Sequence, residues 1–202
     1  MRTLKEEGLA DNTLVIFTSD NGPWTMFKEF GGVAKPLRGA KGTGWEGGPG
    51  VPAIFNWPGK IEPSVSSAFM VSIDLYSTFA ALTDGELSSE YPLESINMSG
   101  VLFRNEQSPR SSYLFFSGSK WVREPFSYRS GNYKIHIQTN DRDRDPDTAA
   151  TIPPQHHNPP LLFDLINDRS ETTNIAKDQP NVLARLMNEF NIVVSELNIP
   201  PE

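Results

Sequence analysis

The sequence predicts an α/β fold in two parts: over residues 1–109 the C-terminal part of a mixed sheet sandwiched by helices, and over 110–202 a small α+β subdomain pairing an antiparallel sheet with a packed helix. Three observations predict it. Leu14–Thr18 and Val51–Asn56 are continuous apolar runs, the pattern of strands covered on both faces. Beyond about residue 110 the apolar period changes to two, as in half-buried antiparallel strands. Asn181–Leu197 then repeats apolar residues at helical spacing.

In order along the chain, Arg2–Glu7 reads as the end of a helix with Gly8 as its stop. Thr13–Thr18 is a strand. Residues 19–50 hold most of the glycines and little regular pattern, and a loop of that length inside a compact domain is usually functional. Val51–Asn56 is the second strand, closed by Trp57-Pro58-Gly59. Ser72–Leu82 is a helix with its apolar stripe at Ile73, Tyr76, Phe79 and Ala80. The polar stretch 83–109 reads as a connection between the two parts. Short strands follow at Tyr113–Ser117, Trp121-Val122, Phe126–Ser130 and Tyr133–Gln138, with Gly131-Asn132 as a hairpin turn. Residues 139–160 read as a charged, then proline-rich loop, Leu161–Asp164 as a last strand. The terminal helix carries Leu183, Leu186, Met187, Phe190, Val194 and Leu197 on one stripe, with Pro180 at its first turn.

Composition narrows the chemistry. The 202 residues are 37% hydrophobic and 21% charged, as in ordinary globular proteins. A net charge of −7 speaks against a nucleic-acid partner. No apolar run approaches the ~20 residues that span a bilayer, so no membrane partner is expected. There is no cysteine, which removes disulfides and thiolate metal sites.

Two motifs carry chemistry. Asp20-Asn21 ends the first strand, and the carboxyl ends of strands are where open α/β sheets bind ligands. An Asx turn is the ordinary reading of that dipeptide before Gly22-Pro23. A carboxylate and an amide oxygen are also hard donors suited to Ca²⁺ or Mg²⁺. About twenty residues later comes Leu37-Arg38-Gly39-Ala40-Lys41-Gly42-Thr43-Gly44-Trp45-Glu46-Gly47-Gly48. Most lysines are solvated surface charges, but these flanking glycines leave Lys41 open to a small ligand, to which it offers a compact positive charge. Lys35 and Arg38 read as ordinary surface charges. Asp141–Asp147 alternates in sign, lacks the glycine and glutamate of an EF-hand loop, and reads as solvated.

Thr13–Pro23, Pro36–Gly48 and Val51–Gly59 together resemble the second half of a type I sulfatase of the alkaline phosphatase superfamily. Gly131–His136 and Pro159–Leu165 are similar to the C-terminal part of arylsulfatase A-like members. The resemblance implies a sulfuric ester hydrolase acting on aryl or carbohydrate sulfate esters. It implies that Asp20 and Asn21 complete a Ca²⁺ site, that Asp20 also lies near the nucleophile, that Lys41 holds the sulfate, and that His157 faces the rim of the active site. The family's nucleophile arises from a Cys/Ser-x-Pro-x-Arg motif, which has no match here, and Gln107-Ser108-Pro109-Arg110 has similar letters at another spacing. The expectation is therefore a C-terminal fragment, inactive alone, whose partner is the missing N-terminal half of the same enzyme. The full-length protein is expected to be secreted, periplasmic or lysosomal. Gly50 stands where the family usually has an arginine before Val-Pro. Two alternatives stay open: a phosphodiesterase or phosphonate hydrolase of the same superfamily, and a non-catalytic binding module on the same fold.

Overall fold

The computed structural model describes residues 1–88, 93–116, 125–140 and 154–197. The chain forms two compact units: Met1–Thr18 with Ala53–Ser111, and Ser19–Pro52 with Ser112–Glu202.

The first unit opens with helix α1 (Arg2–Glu6), after which Gly8 takes φ +69, a value that costs a residue without Cβ nothing. Strands β1 (Val15–Thr18) and β2 (Ala53–Asn56) pair antiparallel, Val15 opposite Asn56 and Thr18 opposite Ala53. The apolar runs predict strands covered on both faces. Instead Phe17 and Ile54 are exposed, because this sheet has two strands and nothing among the described residues covers their outer face.

Helix α2 (Asp74–Leu82) corrects a second expectation. Tyr76 and Phe79 of the supposed core stripe are exposed, and the buried side chains are Asp74, Ser77 and Thr78. Hydrogen bonding decides this. The Asp74 carboxylate accepts the backbone N–H groups of Val71 and Ile96, each at 3.0 Å, and the Arg110 Nε–H at 2.8 Å. Thr78 Oγ1 accepts the Met98 N–H at 2.9 Å. Residues 94–110, including helix α3 (Ser99–Arg104), are therefore bonded onto the polar face of α2 rather than forming a free connection. Ser108 donates to the Phe69 carbonyl, and Arg110 pairs with Asp74 in full burial, so both have structural roles.

The second unit is a four-stranded antiparallel sheet in the order β3-β4-β5-β6: β3 (Ser112–Phe116), β4 (Pro125–Ser130), β5 (Tyr133–Thr139) and β6 (Gln155–Asp164). The β4–β5 turn is at Gly131-Asn132, with Gly131 at φ +58. The strand expected at Trp121-Val122 and the acidic run Asp141–Asp147 lie outside the described residues. Strand β6 begins six residues before Leu161, where the sequence reads as loop. Pro159 and Pro160 lie within it where its register against β5 breaks, between the pairs His136–Leu161 and Gln138–His156, so no ladder bond there calls for the missing N–H groups.

Alternation sorts the sheet into two faces. Leu114, Tyr128, Ile135 and Leu162 face helix α4 (Pro180–Glu196) and bury its Leu186 and Phe190, while Leu183, Met187, Val194 and Leu197 pack around them. Each such apolar side chain stabilises by ~1.5–3 kcal/mol on full burial. The opposite face presents Arg129, Lys134, His136 and Phe163, and on it lies the glycine-rich segment.

Candidate functional site

Residues 36–50 fold back on themselves through short backbone bonds. Thr43 N–H donates to Ala40 O at 3.0 Å, Gly47 N–H to Arg38 O at 2.6 Å and Gly48 N–H to Trp45 O at 2.8 Å. A Cβ at Gly47 would stand 2.5 Å from Arg38 O, so this close approach of strands of backbone requires glycine. A Cβ at Gly50 would collide with Glu46 O, whose carbonyl accepts the Gly50 N–H at 2.8 Å. The glycine at 50 is thus demanded by this loop.

Trp45 anchors the loop to the sheet. It is fully buried, 4.3 Å between ring centroids from His136 and 5.8 Å from Phe163. Arg38, expected as a surface charge, lies over the Trp45 ring at 3.6 Å and donates to Glu171 O at 3.2 Å. Beside it lies a buried charge network. Lys134 Nζ is 2.7 Å from Glu46 Oε1 and 3.6 Å from Glu171 Oε1. Glu171 Oε2 accepts the Glu46 N–H at 2.6 Å, and Glu171 Oε1 is 2.6 Å from His136 Nε2. Arg129 completes the set, 3.6 Å from Glu46 Oε2.

Burial pushes the His136 ring down to about 4, against the pull of Glu171, so the ring is neutral at pH 7 and its Nε2–H donates to Glu171. Among the described residues its buried Nδ1 has no partner, which agrees with a neutral ring. Burial raises the Glu171 carboxyl, but Lys134, His136 and the Glu46 N–H outweigh it and hold the group below its ordinary range. Sequence reading missed this network. The signal was Lys134, His136 and Gln138 alternating with Ile135 and Ile137: a polar face of that kind normally meets water, and here it meets Trp45 and Glu46.

The residues singled out in the sequence all lie on this unit. Gly22 N–H donates to Gly48 O at 2.7 Å and Lys41 N–H to Pro23 O at 2.9 Å, which lays the Asp20–Trp24 segment along the Lys41 loop. Asp20 is exposed, with Ser19 Oγ 3.5 Å from its carboxylate. Asn21 Nδ2 donates to Gly22 O at 2.8 Å, which leaves Oδ1 as the atom able to meet a cation. Lys41 is exposed, with Nζ 4.8 Å from the centre of the Trp24 ring, and among the described residues it has no acidic partner. His157 is half-buried, its Nε2 2.9 Å from Thr139 Oγ1. The next residue after Thr139, Asn140, donates to Gly42 O at 3.1 Å, beside Lys41.

Among the described residues no group of three or more His, Asp or Glu side chains gathers that could hold a metal. Asp20 and Asn21 offer two hard oxygens of the six to eight that Ca²⁺ takes. The donor set fits a calcium ion as part of its shell.

The family model described as Sulfatase matches residues 1–85, and that described as the C-terminal region of aryl-sulfatase matches residues 108–200. Arylsulfatase A of Bos taurus is 41% identical over 181 residues, covering 87% of this chain and 36% of its own length. An N-acetylgalactosamine-6-O-sulfatase of Bacteroides thetaiotaomicron is 29% identical over 197 residues, 92% of this chain and 37% of its own. The crystal structure of the PsFucS1 sulfatase from Pseudoalteromonas sp. superposes with a TM-score of 0.85 at 29% identity, covering 96% of this chain and 39% of that one. The chain thus spans between a third and two fifths of the length of these relatives.

Proposed function

This chain belongs to the sulfatase family, and from that premise we propose that it serves the hydrolysis of sulfuric esters, with carbohydrate sulfates as the substrate class. The observation that carries the reading is the juxtaposition of Asp20-Asn21 with the exposed Lys41 through two backbone hydrogen bonds. An anion held by Lys41 would lie beside the cation held by the strand-end pair.

The roles divide by chemistry. Asp20 and Asn21 would hold a calcium ion together with donors from outside these 202 residues; bound there, the ion supplies Lewis-acid polarisation of the sulfate oxygens. Asp20 also serves the reacting centre as a proton acceptor. Lys41 holds a sulfate oxygen and offsets charge that develops on the leaving oxygen. His157, oriented by Thr139, hydrogen-bonds substrate at the rim. The sequence has no cysteine and no Ser-x-Pro-x-Arg, so the attacking group comes from a segment other than these residues, and the chain acts as partner to that segment. The assembled protein works in an exported compartment: outside the cell, in a periplasm or in a lysosome. Among the described residues no helix is long and apolar enough to cross a membrane.

The test is turnover. The 202-residue chain alone, assayed on an aryl sulfate and on sulfated saccharides, is expected to show none above buffer. Joined to a sulfatase segment bearing the nucleophile it is expected to turn over, and to lose that activity with Lys41→Ala. Phosphodiester cleavage in place of sulfate release by the joined protein would contradict the reading.

A further inference from the structure

Between Asp20-Asn21 and Lys41 the chain displays aromatic side chains to solvent. Trp24 is 43% exposed, Phe27 54% and Phe30 87%. Large apolar side chains gathered on a surface mark binding sites. The segment holding them is built. Trp24 N–H donates to Gly31 O at 3.0 Å, Gly31 N–H to Lys28 O at 3.1 Å and Phe27 N–H to Trp24 O at 3.0 Å. Lys28, at φ 50, turns the 3₁₀ segment Thr25–Phe30 back on itself. A Cβ at Gly31 would collide with Trp24 O, so the turn closes only on glycine. Trp24 and Phe27 meet edge to face, 4.7 Å between centroids at 89°. The indole is also the ring over which the Lys41 ammonium lies, at 4.8 Å.

A sulfate held by Lys41 therefore brings the group it is esterified to within reach of an aromatic surface. A pyranose ring has a face of C–H groups that packs on aromatic rings, and its hydroxyls stay in water. That combination suits a surface that is apolar yet open. We propose that Trp24 and Phe27 form the platform for the sugar ring of a carbohydrate sulfate whose sulfate group is held by Lys41. The proposal rests on the sulfate-ester reading above and adds the residues that select the organic part of the substrate. These are specificity residues and take no part in bond making.

The test is titration of the 202-residue chain, followed by NMR, with galactose and glucosamine monosulfates esterified at each ring hydroxyl. Inorganic sulfate, the unsulfated sugars and 4-nitrophenyl sulfate serve as controls. The Trp24 indole N–H signal, identified by its loss in Trp24→Phe, is expected to shift with at least one monosulfate. Trp24→Ala and Phe27→Ala are expected to weaken that binding about tenfold, and Trp24→Phe to retain most of it. Circular dichroism of these exposed variants should match the unaltered chain. Inorganic sulfate should bind all three alike and be lost with Lys41→Ala. Monosulfates that bind no tighter than inorganic sulfate, or equally to Trp24→Ala and Phe27→Ala, overturn the platform. If sulfate then still depends on Lys41, the sulfate-ester reading survives; if sulfate binds Lys41→Ala normally, that reading fails as well. A platform effect confined to 4-nitrophenyl sulfate would assign an aryl ring instead of a sugar. Binding to phosphatidylcholine–phosphatidylserine vesicles that is lost in Phe30→Ala would assign the surface to a membrane; both results overturn the proposal.

Discussion

Glu46 and Glu171, 125 residues apart in the chain, are joined by a hydrogen bond from the Glu46 backbone N–H to the Glu171 carboxylate at 2.6 Å. That bond, with the shared Lys134, fastens the segment that carries Lys41 to the sheet. Glu171→Ala leaves the ammonium of Lys134 buried with half its partners gone. Removing one member of a buried pair costs ~3–5 kcal/mol. Urea unfolding is expected to show a loss of that order. Trypsin should then cut at Arg38 or Lys41 faster than in the unaltered chain, because α4 still covers the other face of the sheet. Unchanged stability together with unchanged cleavage would contradict this role.

The same network predicts a pH dependence. His136 titrates about 4 in the folded chain and 6.5 in the unfolded one, so between those values the unfolded chain binds the extra proton. Stability is therefore lost as pH falls from 6.5 to about 4, by up to the order of 3 kcal/mol. Glu171 acts in the same direction: its folded carboxylate lies below 4.5, and its contribution disappears as pH falls through that lower value. His136→Gln keeps a donor for Glu171 and removes the titration. Its stability, measured by urea at each pH, is expected to vary less between pH 6.5 and 4. A slope equal to that of the unaltered chain would contradict the assignment.

Gly50 gives a third prediction. Gly50→Arg drives a Cβ into Glu46 O. Overpacking of this sort costs ~1–3 kcal/mol. The melting temperature is expected to fall, and turnover of the assembled protein to stay flat or drop. A gain in stability would show that the loop has no need of glycine there.

What the sequence made legible follows from how locally each feature is encoded. The α4 stripe and the β4–β5 hairpin were plain, because a 3.6-residue period and a Gly-Asn turn need no knowledge of neighbours. The start of β6 was hidden by Pro159 and Pro160, which only the break in its register against β5 makes tolerable. The buried face of α2 was misread because Asp74 is satisfied by Arg110, 36 residues away, and no local pattern announces that. Asp20, Asn21 and Lys41 stood out through motif spacing. Glu46, Lys134, His136 and Glu171 did not, since charged residues read as surface until the partner that buries them is known. Arg38 was misplaced for the same reason: Trp45 beneath it becomes visible only in the fold.

Lys41 is expected to act on turnover and not on folding. It is exposed and, among the described residues, its side chain meets only the Trp24 ring, a weak contact, so Lys41→Ala should leave the urea midpoint within error. In the assembled protein kcat should fall roughly 10²–10³-fold, the scale for losing one positioned electrostatic stabiliser. Turnover equal to that of the unaltered protein would remove Lys41 from the site.

Calorimetric titration of calcium into the assembled protein tests the central division of labour most directly. Asp20 brings a formal charge to a divalent ion, Asn21 a dipole and Lys41 neither. The account predicts the largest loss of calcium affinity for Asp20→Ala, a smaller loss for Asn21→Ala, and an isotherm unchanged for Lys41→Ala. Normal calcium binding by Asp20→Ala would contradict the placement of the metal at this strand end.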